Sequence, residues 1–89
     1  MKKLTLDRIV TVKAAIWNWQ VNKERMRQEK PVTVTPRWNE IMKQIWAAEQ
    51  TVMDTLGFSM TRTQSLLAGE TLLSDYYDMG TGQPLKAGA

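Results

Sequence analysis

Two prolines five residues apart, in the stretch PVTVTP (residues 31–36), cut an otherwise helix-patterned chain in two. A proline inside a helix removes a hydrogen bond and pushes the residue before it toward extended backbone, so no helix runs through this stretch. Alternating Val and Thr predict an extended connection over 31–36. Thr35 followed by Pro36 predicts the cap and first turn of the next helix. That helix spans about 36–56 and carries Trp38, Ile41, Met42, Ile45, Trp46, Val52, Met53 and Leu56 at helical spacing. Gly57 takes the left-handed position that ends it.

Before the prolines, Thr5 caps a first helix over about 6–30, with Asp7 in its first turn. Ile9, Val12, Ile16, Trp19 and Met26 form one apolar stripe, and Leu6, Val10, Trp17 and Val21 form a second beside it. The expectation is a helix gripped from two sides up to Val21, then a charged overhang from Asn22 to Lys30. After Gly57, Thr61 and Gln64 fit a capping box for a third helix over about 62–79, with Leu66, Leu73 and Tyr77 as its stripe and Gly69 as a weak point. The end, GTGQPLKAGA, has the composition of a flexible tail. The fold expected is therefore all-α: a three-helix bundle in one domain, 1–79, followed by a tail, 80–89.

Composition narrows the chemistry. At 89 residues with 43% hydrophobic and 24% charged residues, the chain supports one small core. It has no Cys and no His, which removes disulfides, thiolate nucleophiles, the commonest transition-metal ligands and the commonest general base. Serines 59, 65 and 74 have no histidine to activate them, so the expectation is a protein that is not an enzyme and needs no cofactor. Asp75 and Asp78, three apart on the expected third helix, make a poor cation site without further oxygen ligands. The opening MKKLTLDRIV has the charge of a signal peptide but is interrupted by Asp7, Arg8 and Lys13, and no run is long enough to span a bilayer; a cytoplasmic location is the default.

The stretch LGFSMTRTQ, residues 56–64, resembles the corner of a DNA-reading helix-turn-helix placed at about 46–67, with Thr61, Arg62, Thr63 and Gln64 as base and phosphate readers. Two features count against it. Met53 stands where the motif wants a small residue, and Thr63 where it wants an apolar one. Charge also runs the wrong way: residues 1–43 hold ten cations against four anions, whereas residues 44–89 hold two against five. Arg62 is thus a lone cation among acids, and phosphate contacts supply most of the affinity of such domains.

Four tryptophans give the stronger functional signal. Trp17 and Trp19 point to nearly opposite sides of one helix, and a bundle this small struggles to bury both alongside Trp38 and Trp46. Tryptophan is enriched at the centres of protein interfaces. The reading is therefore a non-enzymatic protein that binds a macromolecular partner, most of all another protein, with Trp17 and Trp19 as anchors. Arg25, Arg27 and Lys30 would steer it to an acidic surface. It would act as a regulator, adaptor or inhibitor by surface occlusion, as small chains carried by phages and mobile elements often do. The wide apolar arc of the first helix also suits a homodimer; nucleic acid is the rival partner, and a membrane is not expected. Lys13 and Glu49, each inside an apolar arc, are expected to pair across the seam between the first two helices.

Overall fold

A computed structural model describes residues 1–29 and 36–85. The three-helix bundle is present: α1 spans Leu6–Glu29, α2 spans Pro36–Leu56 and α3 spans Met60–Leu67, with one 3-10 turn at Leu73–Asp75. The extended connection at 31–35, the Thr35 cap and Lys30 lie outside the described residues.

The long helices α1 and α2 form the principal pair, and α3 rests on both. α1 starts where Thr5 Oγ1 accepts the Arg8 amide at 3.3 Å, with Asp7 in the first turn. α2 ends where the Gly57 amide bonds Met53 O at 2.8 Å with φ of 71°. The core joins Val12, Ala15 and Trp19 of α1 to Ile41, Ile45, Ala48, Val52 and Leu56 of α2. Leu66 and Leu67 of α3 close it, with Leu4, Phe58, Leu73 and Tyr77 sealing one end. Val12, Val52 and Leu56 are wholly buried, and each such side chain contributes about 1.5–3 kcal/mol.

α3 is much shorter than the 62–79 expected. It is capped by Ser59, whose Oγ accepts the Arg62 amide at 3.3 Å, and not by Thr61. It stops at Leu67 because Gly69 takes a φ of 81°. The Gly69 amide bonds Leu66 O and the Glu70 amide bonds Ser65 O, the Schellman pairing that turns a chain out of a helix. Asp75 and Asp78 then serve separate turns. Asp75 Oδ2 accepts the Leu72 amide at 2.7 Å, and Asp78 Oδ1 accepts the amides of Gly80 and Thr81. No cluster suited to a metal ion occurs among the described residues.

The expected flexible tail is also corrected, as far as residue 85. Tyr77 and Pro84 form an antiparallel bridge, and the Leu4 amide bonds Gly82 O at 2.7 Å. Residues 2–4 run between the end of α2 and the segment 77–82. The Lys2 amide bonds Leu56 O at 2.8 Å, Lys2 Nζ bonds Asp54 O at 2.8 Å, and Tyr77 Oη donates to Lys2 O at 2.5 Å. A cation on the last carbonyls of α2 also meets the negative end of that helix's dipole.

Burial pushes the Tyr77 phenol above its ordinary range, against the pull of Arg8 and Arg62. The unfolded chain releases this proton at about pH 10, while the folded chain still holds it. The ring's contribution is thus intact below that pH and is lost as pH rises through the higher folded value. Denaturant midpoints measured at pH 8 and pH 11 are expected to fall less in Tyr77→Phe than in the parent. The variant gives up about 1 kcal/mol at neutral pH with the Lys2 bond. An equal alkaline fall in both proteins would contradict this.

Candidate partner-binding surface

Trp17 and Trp19 are separated by the helix itself. Trp19 follows Val12 and Ala15 on the side of α1 that meets α2, and is only 8% exposed. Its indole N–H donates to Glu49 Oε2 at 3.2 Å, and Gln64 Nε2 donates to the same oxygen at 2.6 Å. Lys23 Nζ lies 5.1 Å from its ring. Trp19 is therefore a core residue and not a surface anchor, which corrects one of the two anchors expected from sequence. Glu49 likewise serves Trp19 and Gln64, so the expected Lys13–Glu49 pair does not form. Lys13 lies on another side of α1, exposed at the rim of an apolar cavity of about 310 Å³ between Ile16, Leu66, Leu73 and Met79.

Trp17 is 68% exposed, and most of its stripe is uncovered with it: Leu6 is 76% exposed and Val10 62%, while Val21 is half-buried. The expected grip from two sides fails because α2 and α3 both lie on the Val12–Trp19 side. Beside this stripe runs a shallow groove of about 640 Å³ between α1 and α2, floored by Ala14, Ala15, Ala47, Ala48 and Thr51. Thr51 Oγ1 is spent on Ala47 O at 2.8 Å, so the groove is mostly apolar, with Thr11 and Asn18 as its other polar lining. Trp46, expected in the core, is 59% exposed on α2, and Trp38 is half-buried. Trp46 falls at the edge of its apolar arc, beyond Met42 and Glu49.

Among the steering cations, Arg25 is exposed. Arg27 is bound within its own helix: its Nη2 lies 2.6 Å from Glu24 Oε1, and the hydrogen bond holds the Glu24 carboxyl below its ordinary range and the guanidinium above its own.

The expected DNA readers are divided. Thr61 and Arg62 are exposed, with the Arg62 guanidinium 5.8 Å from the Tyr76 ring. Thr63 is fully buried, its Oγ1 without a partner among the described residues, and so reads nothing. It occupies the position where a helix-turn-helix packs an apolar side chain inward. Gln64 is tied to Glu49. Of the four, Thr61 and Arg62 remain exposed to a nucleic acid.

Ala14, Ala47 and Thr51 went unnoticed in the sequence because small residues carry no apolar signal. Their place in the groove depends on how closely α1 and α2 approach. No helix among the described residues is long and apolar enough to cross a membrane. Comparison with protein-family models, with curated proteins and with solved structures gives no match to this chain.

Proposed function

We propose that the chain works by binding another protein through the outer face of α1, as a regulator, adaptor or inhibitor that occludes its partner's surface. The observation that carries this reading is the line of Leu6, Val10 and Trp17, all more than half exposed on the side of α1 turned away from the core. Three large apolar side chains in register on one helix cost solvation free energy, which binding recovers, and a tryptophan among them is the commonest kind of interface anchor. Arg25, at the far end of the face, favours an acidic rim opposite.

The test is affinity capture from nuclease-treated lysate with the parent chain and with Trp17→Ala. A stoichiometric protein retained by the parent, stable to moderate salt and lost from the variant at unchanged thermal stability, is the expected result. Material that disappears with nuclease and survives Trp17→Ala would overturn it. That outcome would favour the rival reading, in which residues 58–66 bind nucleic acid through Thr61 and Arg62.

A further inference from the structure

The outer face of α1 is self-complementary. Leu6, Val10, Ala14, Trp17 and Val21 follow one another at spacings of four, four, three and four residues, which keeps them on one line of a helix. Consider two copies of this line laid antiparallel. With Val10 opposite the partner's Val21, Ala14 falls opposite the partner's Trp17, so the largest side chain of the stripe meets the smallest, twice. Ala14 also opens into the apolar groove with Ala47 and Thr51, which leaves room for the indole.

The rim agrees with the same register. Asp7 and Arg25 are eighteen residues apart, five turns of helix, so both lie on one flank of the stripe. In an antiparallel pair each flank faces its own counterpart, and Asp7 comes within about one residue of a position opposite the partner's Arg25. Neither makes an ion pair among the described residues, where Arg27–Glu24 is the one such pair. A parallel pairing in register would instead set Trp17 on Trp17 and carry Arg25 and the partner's Asp7 to opposite ends and opposite sides of the seam. A foreign partner requires none of these coincidences, whereas an interface built on a two-fold axis requires all of them, because each contact occurs twice.

We infer that a second copy of this chain occupies the outer face of α1, antiparallel across a two-fold axis, with Ala14 receiving the partner's Trp17 and Asp7 facing the partner's Arg25. This rests on the reading that the face binds protein, and names what covers it before a foreign partner is met: the second copy and such a partner compete for the same side chains.

The chain has no cysteine, so Val10→Cys and Val21→Cys introduce single thiols into the full-length protein. Mixed and oxidised, the two variants are expected to cross-link to each other. Each alone is expected to cross-link far less, since like positions sit about 16 Å apart along the helix in this register. In sedimentation equilibrium Trp17→Ala is expected to be monomeric with unchanged helix content. Asp7→Arg and Arg25→Asp are each expected to weaken association about tenfold, and the double variant to recover most of it. A monomeric parent at hundreds of micromolar, Val10→Cys alone cross-linking efficiently, or a dimer indifferent to Trp17→Ala would each overturn the inference. A monomer that still loses its captured protein on Trp17→Ala would remove the second copy alone. A monomer whose capture is unchanged by Trp17→Ala would remove the protein-binding reading too.

Discussion

Trp19→Ala is expected to lower the unfolding free energy by about 3–5 kcal/mol, while Trp17→Ala, two residues away, changes it by about 0.5 kcal/mol or less. The first removes a core ring and leaves the Glu49 carboxylate, buried with it, one donor short. The second removes a ring that is mostly in solvent. Urea denaturation of the two variants beside the parent, at a protein concentration too low for self-association to add to stability, reads both values in one experiment. Comparable losses would mean that α1 is rotated from the orientation described, and the case for its outer face would go with it.

Gly82→Ala is the second large effect, about 3 kcal/mol. Its φ of 76° costs a side chain about 1–2 kcal/mol. A Cβ built there would also collide with Leu4 O, an atom of the backbone. Either Leu4 or the loop has to withdraw, and the bond from the Leu4 amide to Gly82 O goes with it. Gly80→Ala is the control, because its Cβ would meet only an Asp78 side-chain oxygen at 3.3 Å and its backbone is not left-handed; it is expected to cost about 0.5 kcal/mol or less. If both variants match the parent in urea, residues 2–4 and 77–85 are not joined as described.

These cases mark how far the sequence could be read. α2 was legible because Pro36 and Gly57 act locally at its two ends. The end of α3 was missed because Gly69 reads as a cost within a helix until the left-handed turn it makes is seen. Residues 80–85 read as a tail because Leu4, Tyr77 and Gly82 are held by backbone groups, which leave no pattern in side-chain types. That Trp17 and Trp19 face opposite ways followed from helical spacing alone. Which one faces inward depends on Glu49 arriving from α2 to receive the indole N–H, a contact thirty residues distant.

The threading of residues 2–4 has a kinetic side. α1 and α2 are neighbours in sequence and can meet early. The bonds from Lys2 span 52 residues to Asp54 and 75 to Tyr77, and closing loops that long is entropically late. Contacts made after the transition state set the rate of unfolding and leave the rate of folding almost alone. Gly82→Ala is therefore expected to open the native chain faster while refolding at the parent's pace. The clasp is a latch: it governs how long the folded molecule lasts, and has little to do with how quickly it is reached.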